Sequence, residues 1–252
     1  MGFGLTNIKI IIAEDYDQMS AKAAHIMADE ISLRPDGVFG FATGGTPVGM
    51  YKELIRMRQA GEVSFAKVTA FNLDEYYPIE KANDQSYDYF MKDNLFNHVD
   101  IDHSRLNIPN GECSDPVAEC ISYEAKIAAA GGIDLQLIGI GLNGHIGFNE
   151  PADHFTNATN HIELTESTIR ANRRFFVHEK DVPRHALTMG IRTIMSAQKI
   201  LLIANGEKKS GILEQVLFGD ITPKVPASVL QLHHNVTIVI DKPAGAKIAA
   251  RI

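Results

Sequence analysis

Apolar positions along the chain follow two periods. Short runs rich in Ile, Val, Leu and Phe, at 8–13, 38–42, 68–73, 135–140, 199–204 and 236–240, are nearly continuous, as strands buried on both faces are. Between them apolar residues recur every three or four positions, the mark of helices with one buried stripe. In the first such stretch Met19, Ala23, Ile26, Met27 and Ile31 form the stripe, and Asp15 followed by Gln18 supplies a capping signal. Further helices are expected from Pro47, over 86–96, over 117–130 and over 207–218, with a weak strand near Leu106. After 140 the pattern is irregular through Asn160, and Thr165 then opens a short helix carrying Arg170, Arg173 and Arg174. The alternation predicts an α/β fold, a single-domain open, mostly parallel, Rossmann-like sheet with helices on both faces. No repeat, low-complexity tract or linker divides the sequence, so 1–252 is expected to be one domain, with 1–7 an extension before the first strand.

Composition narrows the partners. An apolar fraction of 45% is enough to fill such a core. The net charge of −7 comes from acids and bases mixed along the whole length, which leaves no basic stripe for a nucleic acid. A small anion can still bind, because a few backbone N–H groups and one or two cations reverse the potential locally. No apolar run approaches the about 18 residues of a membrane span, and the opening residues lack the regions of an export signal. Cys113 and Cys120 are read as two thiols rather than a disulfide. A cytoplasmic protein is expected.

In an open α/β sheet the ligand sits beyond the carboxyl ends of the strands. Three of the expected strand ends are polar out of proportion to their surroundings. The first, TGGTP, places Thr43, Gly44, Gly45 and Thr46 between a strand and a helix. Two glycines let the backbone approach an anion, Thr46 can cap the helix, and Pro47 suits its first turn. The same residues would equally make a tight turn with no ligand, and the lysine of a Walker loop is missing. The second, FNLDEYYP, puts Asp74 and Glu75 directly after an apolar strand, where one carboxylate can face the crevice as a general base while the other turns away. A solvated pair of acids in a turn fits the sequence as well.

The third, GLNGHIGFNEP over 141–151, is the most informative. Glycines at 141, 144 and 147 surround His145, and Pro151 biases Glu150 towards extended backbone. His145 and Glu150 can then meet across a tight loop, and a histidine so oriented can shuttle a proton. A metal is a weaker reading, since one His and one Glu without further ligands at regular spacing do not make a site. Arg174, ahead of two phenylalanines, and Lys209, in the first turn of a late helix, are either surface cations or the positive groups that hold a dianion.

Taken together, TGGTP, FNLDEYY, GHIGFNEP, RANRRFF and the late PASVLQLH resemble the glucosamine-6-phosphate deaminase family, in its order and spacing and over nearly the whole chain. GHIGFNEP is the specific element, because the related 6-phosphogluconolactonases share a Gly-His step but lack the Phe-Asn-Glu-Pro continuation. The resemblance implies an enzyme that isomerises glucosamine 6-phosphate and releases ammonia, without metal or organic cofactor. It makes Asp74 the proton acceptor at the sugar's C1 and C2 and His145 the group that opens the ring, with Asn143 and Glu150 orienting the imidazole. Thr43, Gly44, Gly45, Thr46, Arg174 and Lys209 become the phosphate clamp. Many members carry aspartate where this chain has Asn143; an amide cannot stabilise an imidazolium by charge, so Glu150 must do so here. The chain's short length favours a monomer over a hexamer, and the effector-binding positions of the hexameric branch fall on Asp153, Asn160 and Ile162, none of them a cation. Other sugar-phosphate enzymes of the same fold, or a catalytically silent sensor, are the competing classes.

Overall fold

The structure, a computed structural model, describes residues 7–166, 168–169 and 182–252. Every expected strand is present within two residues of its predicted bounds. They are β1 (Ile8–Ala13), β2 (Val38–Phe41), β3 (Thr69–Asn72), β5 (Leu106–Asn107), β6 (Leu135–Ile138), β9 (Lys199–Ala204) and β10 (Val236–Asp241). They form one seven-stranded sheet in the order β1-β10-β9-β6-β2-β3-β5, with every described pair parallel. All residues of β2 and β6 are buried, which explains their continuous apolar sequence.

Helices α1 (Tyr16–Leu33), α2 (Val48–Gln59), α3 (Tyr87–Asn94), α4 (Pro116–Ala129), α5 (Ile191–Met195), α6 (Ser210–Phe218) and α7 (Lys242–Gly245) complete the layers. At the head of α1 the predicted cap forms: Asp15 accepts the Gln18 N–H at 2.8 Å, while Gln18 Oε1 reaches one residue beyond the cap and accepts the Glu14 N–H at 3.0 Å. The head of α2 departs from expectation. Pro47 occupies its cap position without a side-chain bond, and Thr46 instead donates its hydroxyl to Asn205 Oδ1 at 2.8 Å. The helix expected over 207–218 begins as a 3-10 turn, Glu207–Lys209, and becomes α-helical at Ser210.

The sequence pattern misses a second, antiparallel sheet. It joins β4 (Asp74–Tyr77), β7 (Asn160–Glu163) and β8 (His185–Thr188) in the order β4-β8-β7, with Thr188 opposite both Asp74 and Asn160. Four-residue strands reading DEYY, NHIE and HALT are too short to show a period, and what makes them strands is pairing with segments distant in sequence. Tyr76, Ile79, Phe148, Leu164, Ile169, Val182 and Ala186 form a separate apolar cluster on this sheet. The Phe148 ring stacks on Tyr87 at 6.1 Å and tilts against Tyr76 at 5.8 Å, which pins the 141–151 loop to β4 and α3.

The path of the chain fixes where a ligand can sit. From β2 it steps outward through β3 to the β5 edge, returns to β6 between β2 and β9, and continues through β9 to β10. Its direction of travel reverses between β2 and β6, and at such a point the connections leave neighbouring strands on opposite sides and open a crevice at their carboxyl ends. Cys113 and Cys120 are free thiols, as expected. Among the described residues no helix is long and apolar enough to cross a membrane.

Candidate active site

The two loops singled out in the sequence leave the two strands that flank this reversal. After β2, the TGGTP turn takes Gly44 to φ +104°, a backbone region that favours glycine. The Tyr16 hydroxyl of α1 lies 3.1 Å from both the Gly45 and Thr46 carbonyls and accepts the Gly49 N–H at 2.8 Å, so α1 holds the turn in shape. A Cβ at Gly44 or Gly45 would meet nothing within 4 Å, and no acceptor among the described residues takes the N–H of Gly44, Gly45 or Thr46. Free donors at the head of a twelve-residue helix suit an anion.

The Thr46–Asn205 bond ties this turn to the end of β9. There Gly206, at φ +86°, gives its N–H to both Asp241 carboxylate oxygens at 2.9 and 3.0 Å, and the next turn delivers Lys209. Lys209 Nζ donates to the Ile140 carbonyl at 2.5 Å, at the root of the 141–151 loop. Burial lowers its pKa. One of its three donors is thereby used.

The second loop is folded around its histidine. A methyl on Gly141 would collide with the His145 ring, and Gly144 and Gly147 take φ +85° and +57°. The loop is held from both sides. Asn149 Nδ2 donates to the Ile146 and Met189 carbonyls, Phe148 N–H donates to Thr188 Oγ1 at 3.1 Å, and Ala227 N–H donates to the Gly144 carbonyl at 2.8 Å. His145 Nδ1 lies 3.1 Å from Glu150 Oε1, which also accepts the Thr168 hydroxyl at 2.7 Å, and Glu150 Oε2 accepts Asn143 Nδ2 at 2.6 Å. Burial opposes the charge on Glu150, but His145, Thr168 and Asn143 outweigh it and bring the carboxyl down to about 2. An ionised Glu150 selects the Nδ1–H tautomer of neutral His145 and leaves Nε2 for a ligand. Asn143 reaches the imidazole only indirectly, through Glu150 and by accepting the His145 N–H at 3.2 Å.

Asp74 lies beneath this loop. It is 7% exposed, and a Cβ on Gly147 would stand 3.5 Å from its Oδ2 and 2.9 Å from Thr188 Oγ1. Burial, and then the Glu75 carboxyl, push Asp74 up to about 8. Glu75 turns the other way, as alternation along a strand requires, and accepts the N–H groups of Tyr76, Tyr87 and Asp88. The pair is therefore buried, not solvated.

Asn143, His145 and Glu150 thus form one cluster and Asp74 lies against its loop, while Thr43, Gly44, Gly45 and Thr46 follow β2 on the other side of the switch point and Lys209 reaches the Ile140 carbonyl at the root of the histidine loop. Arg174 lies outside the described residues. Four contributors escaped the sequence reading: Tyr16, Asn205, Thr168 and Thr188. Only Thr168 had a signal, its place one turn after Thr165, and that signal reads as helix capping. Among the described residues no three His, Cys, Asp or Glu side chains come together as a metal site.

A parallel sheet whose switch point is flanked by an N–H-lined loop and by a carboxylate-bound histidine over a buried carboxyl, with a half-buried lysine at the root of the histidine loop, is the architecture of an α/β enzyme for a small anionic substrate. Comparison with known proteins names the family: the chain belongs to the glucosamine-6-phosphate isomerases/6-phosphogluconolactonases, whose profile matches residues 14–239. It is 51% identical to the glucosamine-6-phosphate deaminase of Clostridioides difficile (strain 630) over 241 residues, covering 96% of this chain and 97% of the relative. The corresponding deaminase of Clostridium botulinum (strain Langeland) is 49% identical over 241 residues, 96% of this chain and 99% of that one. Among solved structures, a monomeric glucosamine-6-phosphate deaminase superposes with a TM-score of 0.92 at 45% identity, over 95% of this chain and 99% of that one. A 6-phosphogluconolactonase from Trypanosoma cruzi reaches a TM-score of 0.75 at 18% identity, over 99% and 98% of the two chains, a likeness of fold alone.

Proposed function

We propose that this chain is a glucosamine-6-phosphate deaminase, a single cytoplasmic catalytic domain of amino-sugar catabolism that converts glucosamine 6-phosphate to fructose 6-phosphate and ammonia. The observation that carries the reading is the placement of Asp74 under Gly147, in the loop that holds the His145–Glu150 pair. The high identity to deaminases from two organisms supports the substrate, and the 45%-identical neighbour described as monomeric supports a monomer.

In this scheme the N–H groups of Thr43, Gly44, Gly45 and Thr46 bind the phosphate together with Lys209 and Arg174. Binding energy at the phosphate, remote from the reacting carbons, positions the sugar. His145 takes the proton of the C1 hydroxyl at Nε2, becoming an imidazolium, and passes it to the ring oxygen, so the C1–O bond of the ring breaks and an aldehyde forms. Glu150, oriented by Asn143 and Thr168, stabilises the imidazolium during that exchange. Asp74 removes the C2 proton while the aldehyde oxygen takes one from the substrate's ammonium, giving an enolamine; Asp74 then returns its proton to C1, leaving an iminium at C2. Water adds there, the carbon–nitrogen bond breaks, and ammonia departs. A coupled assay tests the reading: equimolar ammonia and fructose 6-phosphate from glucosamine 6-phosphate are expected. Hydrolysis of 6-phosphogluconolactone without ammonia release would replace it.

A further inference from the structure

The PASVLQLH stretch over 226–233 sends no side chain into the reaction scheme, yet the fold seals it in. Pro226–Leu232 is a 3-10 helix in which Pro226, Ala227, Ser228, Val229 and Leu230 are buried. Ser228, 0% exposed, gives its whole hydroxyl to one residue: it accepts the Thr222 N–H at 2.8 Å and donates to the Thr222 carbonyl at 3.0 Å. Within the segment so enclosed, Val225 N–H donates to the Thr222 carbonyl at 3.0 Å and Ser228 N–H to the Val225 carbonyl at 2.8 Å. The hydroxyl therefore closes 222–228 into a compact turn by satisfying both backbone groups of Thr222.

That turn holds both limbs of the histidine loop. On one limb the Pro223 carbonyl accepts the Ala152 N–H at 3.1 Å, just past Glu150. On the other, Ala227 N–H donates to the Gly144 carbonyl at 2.8 Å, in the peptide unit that leads into His145. The far end of the same peptide, the His145 N–H, donates to Asn143 Oδ1 at 3.2 Å, and Asn143 Nδ2 donates to Glu150 Oε2 at 2.6 Å. The Gly144–His145 peptide is thus gripped at both of its polar ends. Apolar contacts close its flank, because a Cβ on Gly144 would stand 2.8 Å from Val225 Cγ1 and 3.1 Å from Ile212 Cδ1 of α6.

We infer that Ser228 is a positioning residue for the His145–Glu150 pair: its hydroxyl shapes the turn whose Pro223 carbonyl and Ala227 N–H fix the two limbs of the loop, and with them the imidazole against the carboxylate. A loop with glycines at φ +85° and +57° on either side of its histidine has backbone freedom that bonds from outside must remove. Misplacing a reacting group by about 1 Å can cost ~10²-fold in rate. The inference deepens the deaminase reading and rests on His145 being the group that opens the ring.

Ser228→Ala deletes the hydroxyl and leaves both backbone groups of Thr222 without it. Turnover of glucosamine 6-phosphate is expected to fall by ~10- to 100-fold in kcat, with the Kd of inorganic phosphate unchanged, since the TGGTP turn makes no bond to 222–228. Nitrogen NMR of the histidine rings gives a readout independent of turnover. The His145 Nδ1–H signal, identified by its loss in His145→Gln, should exchange with water faster in Ser228→Ala than in the wild type. A merely structural Ser228 would lower Tm and leave kcat and this signal as they are, and that result would overturn the inference. Equal losses of kcat and phosphate affinity would overturn it too, as a general loosening. Should Ser228→Ala not fold, Ser228→Cys keeps the shape and substitutes a weak donor and acceptor; wild-type kcat and an unaltered His145 signal there would count against the role. If the wild type releases no ammonia from glucosamine 6-phosphate, the deaminase reading falls, and the NMR comparison still decides whether Ser228 positions His145.

Discussion

His145 Nδ1 faces Glu150 Oε1 at 3.1 Å, and the second oxygen of the same carboxylate holds Asn143 Nδ2 at 2.6 Å. Glu150 therefore accepts on both oxygens, and Glu150→Gln must set an amide N–H against a donor on one of them. With a charge-assisted bond to the imidazole lost, kcat should fall by ~10- to 100-fold, the rate equivalent of one such bond. Stability should change as well. The folded carboxyl lies near 2 against an ordinary value of 4.5, so its contribution is complete above about 4.5 and is lost as pH falls through about 2. Melting curves of the wild type should decline over that window, and those of Glu150→Gln should decline less.

Asp74 carries the opposite sign. Its folded value of about 8 lies above the ordinary 3.8, so the folded state prefers it protonated, and the stability this gives is lost as pH rises from about 3.8 through about 8. Asp74→Asn should reduce turnover by at least ~10²-fold and yet melt higher than the wild type at pH 8, with the two converging near pH 4. Steady-state rates and scanning calorimetry on one preparation check both halves. A variant that is inactive and also less stable at pH 8 would mean that the carboxyl is held ionised by something else.

The phosphate clamp predicts competition. Inorganic phosphate should inhibit competitively and raise the Tm of the wild type by mass action, and glucosamine lacking its phosphate should be a very poor substrate. Lys209→Ala removes a half-buried ammonium at the root of the 141–151 loop, so KM should rise by at least ~10-fold, with a smaller change in kcat. Isothermal titration with phosphate gives an independent reading. Equal turnover of the phosphorylated and free sugars would contradict the assignment.

Regulation by an amino-sugar phosphate effector should be absent. Asp153 is engaged with Lys224 at 2.6 Å on the surface, Asn160 donates its amide to the Ala158 carbonyl at 3.1 Å, and Ile162 packs against the apolar cluster of the small sheet. None presents a cation to an anion there, and an effector acts only through differential affinity for two states. Initial rates should be hyperbolic in substrate and unchanged by N-acetylglucosamine 6-phosphate apart from weak competition. A sigmoidal curve that this compound straightens would show a regulatory site elsewhere.

The parallel sheet, its helices and the Asp15 cap were legible because their signals are local: β2 and β6 are buried on both faces and so are nearly continuous in apolar residues, and α1 shows its stripe over between three and four turns. His145 and Glu150 were legible for the same reason, lying five residues apart in one glycine-rich loop. Tertiary structure decided the rest. That Asp74 and Glu75 are buried, that one lies under Gly147 while the other gathers the head of α3, and that Thr168, Thr188, Tyr16 and Asn205 hold the two loops all depend on pairing between segments distant in sequence. Burial is what turns Asp74 from an ordinary carboxylate into one with a pKa of about 8, and burial is a property of what the fold packs around a residue, which its neighbours in sequence do not specify.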